Sequence, residues 1–330
     1  MVITPYEASM AAEWDEFAAR SRQQTFLLTR PYMDYHSDRF ADASIIARSD
    51  SGRIVAMLPA NRSGNAIWSH QGLTYGGWIT PVRGFDASTM LEVWGLAIEY
   101  YRNNGVEEML YKPLPWIYPS VPADDDIYAL FRLGATMEGC GVSSAVDLRD
   151  APRFDENSRR NLRRAEAAGL RVGESRRFAE YWKMLEDVLA GRHATRPVHS
   201  LAEIELLASR FPENIRLFAV DGPDGRMVAG TVLYLTPTVA HAQYIAASVE
   251  GRAHGALALL FHKLRADLAA GLYGPVRYLD FGISTERGGH LLNEGLHRQK
   301  QGFGGRSVAY PLYRLPLRRF QIEVQKDRSD

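Results

Sequence analysis

Residues Leu217–Val232, LFAVDGPDGRMVAGTV, repeat a pattern that occurs earlier in the chain at Ile45–Leu58, IIARSDSGRIVAML. Each segment contains an apolar run, a glycine-marked turn, an arginine followed by an apolar residue and Val-Ala, and a second apolar run. Asp-Gly and Ser-Gly supply the positive φ that tight hairpin turns require. Both segments are therefore predicted to form β-hairpins.

The similarity continues beyond the two hairpins. In each copy a strand candidate, an amphipathic helix and another strand candidate follow in the same order. The segments are Ala66–His70, Ala87–Asn103 and Glu108–Tyr111 in the first copy, and Ala240–Ala247, Ala256–Ala270 and Tyr278–Phe281 in the second. Apolar residues recur at helical spacing in both helices. A duplicated α+β domain explains this order better than coincidence does.

Composition limits the class of protein. A chain of 330 residues is long enough for two domains, and we expect them at residues 1–150 and 151–330. The formal net charge of +0 argues against a generally basic nucleic-acid binder. Cys140 is the only cysteine, which excludes an intrachain disulfide and favours the cytoplasm. No signal peptide and no membrane-spanning segment are expected, because the sequence has neither the pattern of the former nor an apolar run long enough for the latter.

The segment between the copies is rich in arginine. Asp155 is a candidate start of a helix, because an acidic group favours the positive end of a helix. Arg160 and Arg163 then follow at a spacing that places them on one face. The helix is either a solvated linker or a contact for phosphate or RNA backbone, and the sequence leaves both readings open.

Residues Tyr278–Gly305, YLDFGISTERGGHLLNEGLHRQKQGFGG, combine a strand with many polar residues and glycines. Asp280 lies out of phase with Leu279 and Phe281 in the strand. We expect a polar loop that ends at Lys300 and contains Ser284 and Asn293. A loop of this composition at the end of a strand is typical of a ligand site.

The strand Ala240–Ala247 leads into a glycine-containing segment, SVEGRAHGA, and then a helix. Backbone N–H groups at such a junction can bind phosphate, although a structural turn explains the pattern equally well. The histidines and acids show no HExxH-like spacing, so no metal site is expected.

These features resemble the GNAT acyl-CoA N-acyltransferase superfamily. In that superfamily an Arg/Gln-x-x-Gly-x-Gly/Ala loop holds the pyrophosphate of acyl-coenzyme A, and Arg252–Leu257, RAHGAL, matches its first two fixed positions. The Fem-type (FemAB-like) branch, with two GNAT-like domains in one chain, is more similar over most of residues 10–315. The specific segments are RNLRRAE (160–166), DFGI (280–283) and QKQGFGG (299–305).

The resemblance implies an α+β fold of two tandem GNAT-like domains, each with a mixed, mostly antiparallel sheet flanked by helices. The first domain would bind the acceptor. The second domain, which starts with the basic linker helix, would bind the donor. It implies an N-acyltransferase that moves an acyl group from acetyl-CoA or another acyl-CoA to an amine of an envelope sugar or peptide precursor, including a nucleotide-linked one. Two alternatives stay open: aminoacyl transfer from aminoacyl-tRNA, and a non-catalytic scaffold in a polysaccharide pathway.

Site residues follow from the same resemblance and from their chemistry. Acyl transfer needs a proton acceptor for the amine and a group that stabilises the oxyanion. The expected catalytic residues are Lys300, Asp280 and His199, although a capping role would also explain Asp280, and a capping box of Ser200 and Glu203 would explain the segment at His199. The expected donor-binding residues are Gln243, Tyr244, Arg252, Gly255, Arg160 and Arg163. The expected acceptor-binding residues are His70, Tyr75, Ser284 and Asn293, of which the last two have loop stabilisation as their alternative.

Overall fold

The computed structural model describes residues 1–193 and 196–317. The chain divides into two compact units, of which the first contains Met1–Cys140 and the residues from Ala309 onward, and the second contains Gly141–Val308. The predicted division at residue 150 places residues 309–317 in the second domain, whereas in the structure they belong to the first unit. The reason is that the last strand pairs with a strand of the first copy. The acceptor and donor roles of the two domains stay predictions.

The described residues of the first unit form four α-helices. They are α1 (Ala11–Ala19), α2 (Arg30–Met33), α3 (Ala87–Asn103) and α4 (Asp125–Arg132). Its strands are β1 (Val2–Pro5), β2 (Ala41–Asp42), β3 (Ile45–Arg48), β4 (Ile54–Leu58), β5 (Asn61–Ser63), β6 (Ala66–Trp68) and β7 (Glu108–Tyr111). β8 (Thr136–Asp147) and β16 (Arg306–Pro316) each run across a boundary of the units.

The second unit contains the remaining helices and strands. The helices are α5 (Glu156–Ala167), α6 (Phe178–His193), α7 (Leu201–Arg210), α8 (Val249–Ala253), α9 (Ala256–Ala269) and α10 (Glu294–Gly302). The strands are β9 (Arg171–Ser175), β10 (Ile215–Asp221), β11 (Met227–Leu235), β12 (Val239–Ala247), β13 (Tyr278–Ile283), β14 (Thr285–Glu286) and β15 (Leu291–Leu292).

Two kinds of strand pair recur in both copies. The β3–β4 and β10–β11 hairpins are antiparallel, and β6–β7 and β12–β13 are the parallel pairs. The helices α3 and α9 connect these parallel strands, as crossover helices do. In the second unit the strand order is β8-β13-β12-β11-β10-β9. The expectation of two tandem α+β domains, each with a mixed and mostly antiparallel sheet, is confirmed.

The helix α3 shows why the sequence folds in this way. The Asp86 carboxylate accepts a hydrogen bond from the Thr89 amide at 2.8 Å and caps the helix. The predicted apolar face of Met90, Val93, Trp94, Ala97, Ile98 and Tyr101 is buried in the core of the first unit. In the second unit α9 buries Leu260, Phe261 and Leu264 in the same way. Each such side chain contributes about 1.5–3 kcal/mol of burial free energy.

The prediction of a long polar loop before Lys300 is wrong in part. Residues Glu294–Gly302 form the helix α10, so Lys300 lies in its last turn. The Asn293 carboxamide accepts a hydrogen bond from the Leu296 amide at 3.1 Å and caps this helix. The two glycines within the segment hid the helical pattern, because glycine is a poor helix former.

Candidate active site

The strands β12 and β13 separate after a short paired segment. They pair from Val239 with Tyr278 to His241 with Asp280, and not beyond. A cavity of about 240 Å³ lies next to this divergence and is lined by Ala246 and its neighbours on β12, by Phe281 on β13 and by residues of α6, α9 and α10. Its walls are mostly apolar, and the charged residues on them are Arg252 and Lys300. Such a cavity suits an apolar group attached to a polar or charged carrier.

Lys300 is buried at the edge of this cavity. Its ammonium donates hydrogen bonds to the carbonyl oxygens of Gly282 at 2.8 Å and Ile283 at 2.7 Å. Burial lowers the pKa of Lys300 to about 8, while the nearby Asp280 carboxylate acts in the opposite direction. A lysine has three N–H bonds, so the described contacts leave one N–H for an oxyanion.

Asp280 is fully buried and lies behind His241. The two residues are direct partners in the parallel register of β12 and β13, and His241 Nδ1 is 2.9 Å from Asp280 Oδ2. The Asp280 carboxylate also accepts hydrogen bonds from the Ser143 hydroxyl and from the Gly282 amide. A carboxylate held in this way fixes the tautomer and orientation of an imidazole.

The contacts of Asp280 are with protein groups. Its carboxylate has a relative exposure of 0% and contacts His241, so a positioning role accounts for it, and its catalytic role stays a prediction. His241 and Ser143 are the residues that sequence reasoning missed as site residues. The sequence showed that Asp280 is out of phase with Leu279 and Phe281, but only the register of β12 and β13 brings it to His241.

Tyr244 and His199 form a second pair, on a different part of the unit. The Tyr244 hydroxyl is 2.5 Å from His199 Nδ1 and 3.3 Å from the His199 amide. Tyr244 also packs edge-on against Trp182. Neither residue of the pair lines the cavity beside Lys300. The predicted capping box of Ser200 and Glu203 is present, so the local structure explains the segment, and the catalytic role of His199 stays a prediction.

Gln243 lies where β12 is irregular. The register between β11 and β12 shifts at this position, so Gln243 is an extra residue on its strand. Its Oε1 atom is buried and has no hydrogen-bond partner among the described residues. An unsatisfied buried acceptor is costly in the absence of a ligand or water, which keeps Gln243 a candidate for donor binding.

The glycine-containing segment after β12 is folded into the short helix α8. Its amides at Gly251, Arg252, His254 and Gly255 donate hydrogen bonds within the segment. Gly255 has φ +74, and a Cβ there would overlap the backbone of Asn161 on α5. Gly255 therefore has a clear packing role, and its phosphate-binding role stays a prediction. The Arg252 guanidinium donates to the Ala247 carbonyl at 2.6 Å.

The arginines of α5 lie on an exposed face. Arg160 donates to the Asn157 side chain at 3.3 Å, and Arg163 is 3.4 Å from Glu156. Exposed ion pairs of this kind contribute little to stability. Both readings of this helix, solvated linker and phosphate contact, therefore stay open.

Ser284 and Asn293 are held by the segment that contains them. The Asn293 side chain donates to Glu286 at 3.2 Å besides capping α10. The Ser284 amide donates to the Val142 carbonyl at 2.7 Å, while its buried hydroxyl has no described partner. Loop stabilisation accounts for Asn293, and acceptor binding stays a prediction for both.

His70 and Tyr75 lie in the first unit. His70 has φ 70 although it is not a glycine, and its buried Nδ1 has no partner among the described residues. Burial lowers the pKa of His70 to about 3. The Tyr75 hydroxyl is 3.0 Å from the Thr25 hydroxyl. Their role in acceptor binding stays a prediction.

Two further features are lacking in residues 1–193 and 196–317. None of the helices there is both long and apolar enough to cross a membrane. No group of three or more histidine, cysteine and acidic side chains is placed to hold a metal ion in the same residues.

Comparisons with known proteins agree with this geometry. Residues 152–288 match the family model described as an acetyltransferase (GNAT) domain. No curated protein sequence matches the chain significantly.

Similar solved structures cover nearly the whole chain. FemX is 13% identical with a TM-score of 0.66, and the match covers 96% of this chain and 97% of that one. The C-terminal domain of a putative lysylphosphatidylglycerol synthetase from Agrobacterium fabrum is 15% identical with a TM-score of 0.60, covering 92% of both chains. A tandem GNAT protein from the clavulanic acid biosynthesis pathway is 14% identical with a TM-score of 0.53, covering 97% of this chain and 99% of that one.

At these identities the structures show the fold, while the family-model match supports an acyltransferase. At the level of the fold, the resemblance to the Fem-type branch is confirmed. Residues 152–288 of this chain match a GNAT acetyltransferase domain, and the chain has the fold of the Fem-like tandem GNAT proteins.

Proposed function

We propose that this protein transfers an acyl group to an amine and that the acyl group occupies the cavity beside Lys300. The observation that carries the proposal is the cavity itself: it is apolar, measures about 240 Å³ and has Arg252 and Lys300 on its wall. An acyl chain would contact the apolar wall, while its carbonyl would lie near the Lys300 ammonium.

The donor proposed is an acyl-CoA. A larger cavity of about 760 Å³ shares Val188 and Arg252 with the acyl cavity. A long, narrow carrier could lie in the larger cavity with its acyl end in the smaller one. Aminoacyl-tRNA is the second candidate donor, and the exposed Arg160 and Arg163 on α5 are the feature that favours it. With either donor the reaction would take place in the cytoplasm.

The chemistry assigned to this site needs no covalent intermediate. The acceptor amine attacks the acyl carbonyl, a C–N bond forms, and the C–S bond breaks as the thiolate leaves. The Lys300 ammonium would stabilise the tetrahedral oxyanion. His241 Nε2 would accept the amine proton, because the contact with Asp280 assigns the proton on Nδ1. The acceptor proposed is an amine on an envelope sugar or peptide precursor, including a nucleotide-linked one.

Leu296→Trp tests the location of the acyl group. Leu296 lies on the cavity wall and is partly exposed, so a larger side chain can narrow the cavity without filling the core. Arg298→Trp is the matched control, because it introduces the same side chain at an exposed position of α10 that does not line the cavity.

The measurement is thermal unfolding with coenzyme A and with acyl-CoAs of increasing chain length. We expect the acyl-CoAs to raise the Tm of the wild type by mass action, and Leu296→Trp to lose this effect first for the longer chains. If no acyl-CoA changes the Tm of the wild type, the thioester donor is wrong. Salt-sensitive tRNA binding that is lost in an Arg160→Gln, Arg163→Gln variant would then favour the second donor. Ligand binding without turnover for any donor would favour a scaffold protein.

A further inference from the structure

A third cavity in the Gly141–Val308 unit is lined by basic side chains and has no assigned role. It measures about 450 Å³, and Arg153, Arg159, Arg265 and His262 lie on its wall together with Phe154 and Leu162. No acidic residue is among the described residues that line it. This cavity will be called the arginine pocket.

The arginine pocket is separate from the acyl cavity. On α9 the residues Leu257 and Phe261 line the acyl cavity, whereas His262 and Arg265 line the arginine pocket. These pairs lie on different faces of the helix because of its periodicity. The buried ring of Phe303 packs between those of Phe154 and Phe261 in the core.

Arg265 is the central residue of the pocket. Its guanidinium donates to the backbone carbonyl oxygens of Phe303 at 2.9 Å and Pro152 at 2.7 Å, and it lies over the Phe154 ring with its carbon 5.0 Å from the centroid. Burial lowers the pKa of Arg265, and no described carboxylate pairs with it. A half-buried guanidinium without an anion is unfavourable unless a ligand supplies one.

The other charges on the wall are also available to an anion. Arg153 is exposed and makes no hydrogen bond or ion pair within residues 1–193 and 196–317. Arg159 is paired with Glu156 at 2.6 Å, but both side chains are more than half exposed. Such a pair is easily exchanged for a better anion. Arginine forks match phosphate oxygens in geometry as well as in charge.

We propose that the arginine pocket binds a phosphate-bearing ligand, with an apolar part of the ligand against Phe154 and Leu162. The size of the cavity and its apolar wall favour a small phosphorylated molecule or the headgroup of a phospholipid over an RNA backbone. This proposal does not depend on the acyl-transfer function proposed above.

The experiment is calorimetric titration of the full chain with sodium pyrophosphate. The variants are Arg153→Gln and Arg265→Gln, and Arg20→Gln is the control that removes one positive charge from an exposed position directly after α1. We expect saturable binding by the wild type and the control, with affinity reduced about tenfold or more in Arg265→Gln. Arg153→Gln should also bind more weakly. It keeps the test valid if Arg265→Gln unfolds, since Arg153 makes no described bond.

Several outcomes distinguish the sources of the phosphate. Vesicles of phosphatidylcholine with phosphatidylglycerol that bind the wild type, and bind Arg153→Gln less, would support the proposal and assign the phosphate to a lipid headgroup. A lack of saturable pyrophosphate and vesicle binding would overturn it. If Arg252→Gln abolishes pyrophosphate binding while Arg153→Gln and Arg265→Gln leave it unchanged, the anion binds at the donor site. This result would also overturn the proposal. RNA binding that pyrophosphate does not displace, together with no binding of pyrophosphate itself, would likewise overturn the proposal.

Discussion

His241 and Asp280 lie opposite each other on neighbouring parallel strands, although they are 39 residues apart in the chain, and Nδ1 of the histidine is 2.9 Å from the carboxylate. Asp280 is fully buried, so its charge acts on the imidazole and not on solvent. Two further donors, the Ser143 hydroxyl and the Gly282 amide, hold the carboxylate in place. The pair therefore presents a histidine of defined orientation next to the end of β13, where the carbonyls of Gly282 and Ile283 bind Lys300.

Asp280→Asn should disturb the tautomer of His241. The side chain keeps its size but loses the charge that favours Nδ1–H, so we expect kcat for acyl transfer to fall by about 100-fold or more and its pH profile to change. The ¹⁵N chemical shifts of the His241 ring report the tautomer without a need for a substrate.

Ser143→Ala is the control for Asp280→Asn. It removes one hydrogen bond to the carboxylate but leaves the contact with His241. We expect a much smaller fall in kcat and an unchanged tautomer. Equal effects of the two variants on kcat and on the ¹⁵N shifts would mean that Asp280 is structural only.

Lys300→Met should remove a pH dependence of stability. Burial lowers the pKa of Lys300 from 10.5 to about 8. Between these pH values the unfolded chain binds a proton that the folded chain lacks, so this group makes the free energy of unfolding rise with pH, by up to about 3 kcal/mol. Urea unfolding of wild type and variant from pH 7 to 10 measures the difference.

Lys112, which has its own pKa lowered to about 8, is present in both proteins and cancels in this comparison. Lys300→Met should be less stable than wild type at pH 10, where Lys300 is neutral but still a donor, because the carbonyls of Gly282 and Ile283 lose that donor. Parallel stability curves for the two proteins would show that Lys300 stays charged throughout.

His70→Asn should protect the protein against acid. Burial lowers the pKa of His70 from 6.5 to about 3, so below pH 6.5 the unfolded chain takes up a proton that the folded chain does not. The free energy of unfolding of the wild type therefore falls by about 1 kcal/mol per pH unit through this group. Asparagine tolerates the positive φ of this position.

The measurement for His70→Asn is urea unfolding between pH 7 and 4. The variant should show the shallower decrease in stability as the pH falls. His36→Asn is a useful comparison, because His36 is also buried and its pKa is lowered, while its backbone φ is negative. An equal slope for wild type and His70→Asn would contradict the prediction.

Tyr244→Phe should loosen the segment that contains His199. The change removes the hydroxyl that contacts both the ring and the amide of His199, and we expect a loss of about 1 kcal/mol in the free energy of unfolding. Hydrogen exchange at the His199 amide should become faster. Tyr128→Phe, at an exposed position on α4, is the control that should change neither quantity. Unchanged exchange at His199 in Tyr244→Phe would show that packing alone holds the segment.

Local pattern determined much of the fold. Both hairpins, both crossover helices and the strands that follow them lie where periodicity and turn residues predict them, and α3 has the predicted bounds Ala87–Asn103. These elements follow from interactions between residues close in the chain, such as the capping of α3 by Asp86. The polar composition after Tyr278 predicted a ligand site, and in the structure Lys300 lines a cavity.

The sequence by itself determined a duplicated α+β chain with its polar, glycine-rich block in the second copy. Tertiary structure decided which groups of that block meet. The register of β12 and β13 paired His241 with Asp280, the pairing of β16 with β7 placed residues 309–317 in the first unit, and the packing of α9 exposed Arg265 to a separate cavity. The physical reason is that side-chain alternation along a strand tells which face a residue occupies, whereas its neighbour across the sheet depends on hydrogen bonds between segments far apart in the chain.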